Sequence, residues 1–457
     1  MLRQPITINP KLVDEIVSRE EAEFRRHTPR SHEIHERAKT SLPAGVSSSF
    51  QAVPPYPLFI SRAEGSHIWD ADGNRYTDFH LGFGSLLVGH SHPVLVEALR
   101  DQLGKGSLYS LPSLDTVLLA EEMVRRFAPI EQVRFCNSGT EATMDALRVA
   151  RAHVGRDKVV KIEGSYHGHH DTLLMSTKPS ANAAGPAERP NTVPASKGIP
   201  EDVKNNTIIT PYNDAEALER ILTEHEGEVA AVITEPVLMN VGIVLPEDGY
   251  LADVREVTRR HGVLLIFDEV KTGVTVAAGG ITEIYPVEPD LICLAKSIGG
   301  GTPLGAFGGR EEIMRHITNW DVLHLGTFNG NPMSSRAGLV TLTQILTPQA
   351  HMHANGLSKQ LADSYTGIIE EFDMPMHVAQ IGAKGCAMFC YPRARNYRAW
   401  WQIDMRLSYG YWLFLANRGI LFPPGFDDQW TVSIQHTQAD IDHHTHVFSQ
   451  FVAELTR

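Results

Sequence analysis

The chain has 457 residues, with 41 Lys and Arg against 54 Asp and Glu, for a formal charge of −13. That balance argues against nucleic acid or anionic membrane as the main partner, because both reward clustered basic residues. With 42% apolar and 21% charged residues, a folded protein with a sizeable core is expected, and disorder is not.

Residues 12–40 are rich in Glu, Arg and His with scattered apolar positions. They read as surface helices of an N-terminal arm. The stretch MLRQPITINPKLVDEIV contains no apolar core followed by a cleavage site. No apolar run nears the ~20 residues that a spanning helix needs. A soluble, cytoplasmic protein is the expectation. A Pro- and Ser-rich loop occupies 42–57, and alternation around Asp72 and Gly73 in 66–79 predicts a hairpin.

From about residue 80 to 330 short apolar runs alternate with amphipathic stretches. QVRFCNS (132–138), KVVKIEG (158–164), VAAVITEP (229–236), VLLIFDEV (263–270) and DLICLAKS (290–297) read as buried strands. EATMDALRVARAHV (141–154) and YLADVREVTRRHG (250–262) read as helices, with Leu251, Val254 and Val257 on one apolar face of the second. This predicts an α/β fold with a mostly parallel central sheet and helices on both faces. The segment 175–203, rich in Pro, Ala, Ser and Asn, interrupts the pattern as a long loop of the kind that carries function or moves. The C-terminal part, with a strand at 430–436, reads as a smaller α+β domain. The expected division is an arm at 1–40, a first part of the small domain at 41–79, a large domain at 80–333 and the rest of the small domain at 334–457. Cys136, Cys293, Cys386 and Cys390 are too few for a disulfide scaffold and read as small buried residues.

Charged groups stand where the apolar strands end: Glu235, the pair Asp268 and Glu269, and Lys296. In parallel sheets ligands bind at this edge. Ser138-Gly139-Thr140 lies between a strand and a helix, where first-turn N–H groups and the helix dipole favour an anion, or where Ser138 simply caps the helix. The glycine run after Lys296 is neither a Walker loop nor a dinucleotide fingerprint. SYHGHHDT (165–172) matches no zinc spacing, and DHHTH (442–446) reads as a solvated helix face. No metal is expected.

In order, SGTEA (138–142), YHG (166–168), EP (235–236), DEV (268–270), the lysine and glycines of 296–301, and GTFNGNP (326–332) resemble the class III aminotransferases of pyridoxal-phosphate fold type I. Within that class the likeness is to the glutamate-1-semialdehyde 2,1-aminomutase branch, from about residue 40 onward. The resemblance implies that Lys296 condenses with the aldehyde of pyridoxal 5'-phosphate and then shuttles a proton. Asp268 would face the pyridine nitrogen. Val270 and Tyr166 would pack on the two ring faces, with His167 and Gly168 shaping the turn. Ser138, Gly139 and Thr140 would hold the phosphate, and Glu235 and Asn240 would lie near the phenolic edge. Thr327 would reach the phosphate of a neighbouring subunit, which implies a homodimer with shared active sites.

Two departures from that family stand out. The arginine that clamps a carboxylate in the C-terminal domain is missing from 419–436, where Asp428 stands in place of a glutamate. A second arginine is missing after Gly45-Val46-Ser47, where Ser48, Phe50 and Gln51 follow. Phe50, Tyr56, Phe83 and Phe426 would make an apolar pocket, and Arg393, Arg395 and Arg398 are the alternative carboxylate contacts, if they are not a solvated run. The expected function is an intermolecular transaminase acting on an amine or a non-α-amino acid with a keto or aldehyde acceptor. The alternative is intramolecular amino transfer by an aminomutase. Racemase or decarboxylase chemistry would use the same lysine. A non-enzymatic sensor lacks the attached module it would need.

Overall fold

The computed structural model describes residues 5–423 and 429–457. The first strands, β1 (Ile60–Glu64), β2 (His67–Asp70) and β3 (Arg75–Asp78), form an antiparallel meander. The expected hairpin is there, turning through Gly73 at φ 89°.

The large sheet comprises β4 (Gln132–Cys136), β5 (Lys158–Ile162), β6 (Thr207–Thr210), β7 (Val229–Thr234), β8 (Leu264–Asp268), β9 (Leu291–Leu294) and β10 (Gly305–Gly309). Their order across the sheet is β4-β10-β9-β8-β7-β5-β6. β10 runs antiparallel to both neighbours, and the other pairs are parallel. A third sheet joins β11 (His377–Ile381), β12 (Lys384–Met388) and β14 (Gln429–Thr431), while β13 (Ile420–Leu421) returns to pair in parallel with β3.

The five apolar runs all form strands because both faces of the sheet are covered. Leu264 and Ile266 of β8 face one core with Ala142, Ala146 and Val149 of the helix Gly139–Val154. Leu265 and Phe267 face another with Leu251, Val254 and Val257 of the helix Tyr250–Arg260. Each buried Leu, Ile, Val or Phe among them contributes about 1.5–3 kcal/mol on burial. β6 and β10 had no such signal: TIIT is short and GAFGG is mostly glycine.

Three expectations need correction. The first N-terminal helix is not a surface element, whereas the second, Pro29–Ala38, buries only Ser31. Val13, Ile16, Val17 and Phe24 of the helix Pro10–His27 are buried in one core with Tyr411, Trp412 and Phe451. Buried Glu20 on that helix accepts from Arg418 Nη1 at 3.0 Å. The strand expected over 430–436 is confined to Gln429–Thr431. DHHTH is only partly solvated, because His444 is buried and stacks on Phe79 with ring centroids 4.4 Å apart. Among the described residues, no helix is long and apolar enough to cross a membrane.

Burial pushes the His444 imidazole down to about 3. The unfolded imidazole takes up a proton near pH 6.5, so between these values the unfolded state binds more protons and stability falls as pH drops. His444→Phe is expected to remove up to ~1.4 kcal/mol per pH unit of that acid sensitivity. Urea unfolding at pH 6.5 and pH 4.5 measures it, and equal pH slopes in both proteins would refute it.

Candidate active site

The carboxyl ends of the parallel strands deliver Ser138, Glu235, Asp268 and Lys296 to one edge of the sheet. A cavity of about 1150 Å³ opens there. Ser138, Gly139, Thr140, Tyr166, His167, Gly168, Glu235, Asn240, Asp268, Val270 and Lys296 all line it. Thus every cofactor-site residue expected from sequence is brought together, except Thr327, which is exposed on a segment outside the cavity wall.

His167 and Asp268 form the floor. His167 Nδ1 lies 2.7 Å from Asp268 Oδ2, and both side chains are buried. A carboxylate acceptor fixes the proton on Nδ1. Asp268 Oδ1 also accepts from the Val270 N–H at 3.0 Å. The resemblance implies for His167 only a part in shaping the turn, whereas the structure makes it the partner of Asp268. Glu235 accepts from the backbone N–H of Tyr166 at 2.9 Å and of Met239 at 2.8 Å, and burial raises its pKa. Beneath the same loop lies fully buried Lys161. Its Nζ donates to the carbonyls of Ser165 (2.9 Å), Leu173 (3.1 Å) and Met175 (2.6 Å). Three acceptors match the three donors of an ammonium, while burial pulls its pKa down to about 7.

Backbone geometry at the site is tight. A Cβ on Gly139 would meet Val270 Cγ2 at 2.9 Å. Gly168 sits at φ 92°, and a Cβ there would meet Thr140 Oγ1 at 2.6 Å. Lys296 itself lies at φ 53°, a left-handed conformation that non-glycine residues hold at a cost and that clusters at functional sites. Ser138 caps the helix Gly139–Val154, its Oγ accepting from the Glu141 N–H at 3.2 Å. The capping and anion-binding readings coexist, because other first-turn N–H groups have no intrahelical acceptor.

The expected substrate pocket is only partly assembled. Ser48, Phe50 and Phe83 line the cavity. The Phe50 ring lies 5.7 Å from that of Tyr166 and 5.6 Å from that of Phe83. Gln51 is not on the wall: its Oε1 accepts from the backbone N–H groups of Ser47 and Ser48 at 3.1 and 3.2 Å. Tyr56 belongs to the core, its hydroxyl 3.0 Å from Thr28 Oγ1. Phe426 and Asp428 lie outside the described residues.

Nor are the three arginines substrate contacts. Arg393 and Arg395 pair with Glu247 at 2.7 and 3.3 Å. Arg398 Nε and Nη2 grip the carboxylate of buried Glu163, 2.9 Å each. Its nitrogens also donate to the carbonyls of Gly185 and Pro186 at 2.8 Å each. Tyr397 Oη and Trp401 Nε1 both donate to the carbonyl of Pro179, at 2.7 and 3.3 Å. Residues 397–401 therefore clasp the loop 175–203 over the cavity. Sequence reasoning missed this clasp and Glu163, whose only signal was a carboxylate directly after a buried strand.

The Aminotransferase class-III family matches residues 49–403. The chain belongs to that family. It is 42% identical to a glutamate-1-semialdehyde 2,1-aminomutase of Methanocella arvoryzae, over 90% of this chain and 96% of the relative. The aminomutase of Archaeoglobus fulgidus is 40% identical, over 90% of this chain and 97% of the relative. Among solved structures, a glutamate-1-semialdehyde aminomutase of Pseudomonas aeruginosa in complex with PMP superposes with a TM-score of 0.90 at 30% identity, covering 98% of this chain and 100% of that one. An omega-transaminase of Sphaerobacter thermophilus gives 0.88 at 32% identity, covering 93% and 97%.

The fold is that of the fold type I pyridoxal-phosphate enzymes, and pyridoxal phosphate is the cofactor. The residues present fit it: a buried carboxylate for a ring nitrogen, a lysine for an aldehyde, and a capped helix start for a phosphate. The expected intermolecular transaminase is corrected, because the curated relatives at about 40% identity over nine-tenths of the chain are aminomutases. The missing arginines were a poor discriminator, since the two readings share the same cofactor site.

Arg398→Ala is expected to release the loop. Limited proteolysis within 175–203 should accelerate ~10-fold or more, since local opening governs cleavage. Unchanged cleavage would show that the clasp does not hold the loop.

Proposed function

We propose that this enzyme moves an amino group within one substrate molecule, as a glutamate-1-semialdehyde 2,1-aminomutase. The agreement with aminomutases along nine-tenths of the chain carries the reading. The clasped loop supports it, since an intramolecular transfer requires that the intermediate not escape between its two halves.

When bound, pyridoxal phosphate supplies an electron sink for the carbanion formed at the amino-bearing carbon. Asp268 would hold a proton on the ring nitrogen, and His167 fixes the carboxylate's direction. Val270 and Tyr166 would enclose the ring, with Tyr166 held through its own N–H by Glu235. Ser138, Gly139 and Thr140 bind the phosphate. Lys296 Nζ would take the proton from the amino-bearing carbon and return it.

We also propose a large domain at 80–333 and a small domain drawn from 41–79 and 334–457, which the pairing of β13 with β3 supports. A homodimer completes the reading, with Thr327 at the partner's phosphate. Leu111, Leu114, Trp320, Leu325 and Phe328 are all more than half exposed. Their two segments meet where Thr116 Oγ1 donates to the Gly330 carbonyl at 3.0 Å. Apolar groups gathered in this way mark an interface.

Glutamate-1-semialdehyde given to the purified holoenzyme without any keto acid should yield 5-aminolevulinate in equal amount. A strict need for an added acceptor would overturn the reading. Lys296→Ala should lower the rate by ~10³-fold or more and remove the visible absorbance of the bound cofactor. Leu325→Glu should shift the sedimentation coefficient toward that of a monomer. A dimer unaffected by that charge would place the interface elsewhere.

A further inference from the structure

Four successive residues beside the site hold positive φ: Leu81 at 46°, Gly82 at 58°, Phe83 at 57° and Gly84 at 79°. The two glycines adopt this conformation freely, but Leu81 and Phe83 do so at a cost, because Cβ crowds the following carbonyl. Such strain persists where the surroundings hold it, and it gathers at functional sites. Gly82, Phe83 and Ser85 line the cavity.

Two clamps hold this turn. At its start, buried Asp78 accepts through Oδ1 from the N–H groups of His80 and Leu81, at 2.8 and 2.9 Å, and its Oδ2 lies 2.7 Å from His90 Nε2. At its end, Ser297 Oγ donates to the Gly84 carbonyl at 2.6 Å. Ser297 directly follows Lys296, which is itself left-handed at φ 53°. Two strained segments, 213 positions apart, thus meet through one buried hydroxyl. Beyond the turn, the Phe83 ring lies 5.6 Å from that of Phe50, and Phe50 lies 5.7 Å from the ring of Tyr166. Ser297 is buried and is not part of the cavity wall, so any effect it has on a ligand passes through the turn.

We propose that Ser297 is a positioning residue for the substrate: its hydroxyl holds the left-handed turn, and the turn sets where Phe83 stands on the wall. This rests on the assignment of the cavity to the reaction above. Without the hydroxyl, the Gly84 carbonyl loses a buried donor and Phe83 relaxes toward negative φ. An apolar wall packs against the substrate alike before and during the reaction, so its displacement shows in KM rather than in kcat.

The test compares wild type, Ser297→Ala and Ser297→Thr, and repeats the comparison on Phe83→Ala. Bound-cofactor absorbance verifies that each holoenzyme is loaded. In a crystal structure of loaded Ser297→Ala, Phe83 should leave the left-handed region, while Ser297→Thr should keep it there. A Phe83 that stays in place in Ser297→Ala overturns the proposal. With glutamate-1-semialdehyde, Ser297→Ala should raise KM ~5- to 20-fold and leave kcat within about threefold, and Ser297→Thr should restore most of the loss. On Phe83→Ala, the same Ser297→Ala change should move KM by less than about twofold, since the side chain it positions is gone. Equal factors in both backgrounds, or a loss confined to kcat, would mean that Ser297 serves Lys296 instead, and the proposal falls. If the wild type isomerises no semialdehyde but Phe83 moves as expected, the positioning stands and the reaction assignment falls.

Discussion

The short hydrogen bond between His167 and Asp268 is the contact on which the site depends. It joins the loop after β5 to the end of β8, and both groups are nearly cut off from water. A carboxylate buried there needs a donor, because a buried charge left without a partner is costly. The surrounding groups secure that donor. Glu235 holds the backbone beside His167 through the Tyr166 N–H, and Lys161 ties the same loop from below through three carbonyls. The cavity floor is thus a small polar network within an otherwise apolar sheet, in which His167 Nε2 is buried without a hydrogen-bond partner.

The second organising contact is the buried pair of Glu163 and Arg398. Taking both ions out of water is expensive, and the geometry meets that expense with a two-pronged bond and further carbonyl acceptors. The reward is position. Glu163 stands three residues before Tyr166, so the loop over the cavity is referenced to the floor of the cavity itself. The lid and the site share one anchor.

Much of this was legible from residues alone. The parallel strands announced themselves because sheets covered on both faces need continuous apolar runs, and the site followed because charge at the ends of such runs stands out. β10 was hidden by its glycines, which carry no side-chain period. His444 was hidden because a histidine buried by stacking is written like one in solvent. Arg398 sat in a basic, Trp-rich stretch that resembled a solvated surface, since its carboxylate partner lies far away along the chain. Gln51 shows the converse failure. Its place in the motif order suggested the pocket, but a glutamine three residues after Ser48 is well placed to cap its own turn.

The distance between the partners of the clasp has a consequence for how the molecule is made. Glu163 and Arg398 are 235 positions apart. A ribosome that has just released the cofactor-binding sheet from its exit tunnel has still to deliver the segment that holds the loop. Until then the nascent enzyme has a floor without a fastened cover, and a cofactor captured early would sit in an open site. Competence for an enclosed reaction therefore waits on the segment around Arg398, long after the sheet that forms the floor has been made.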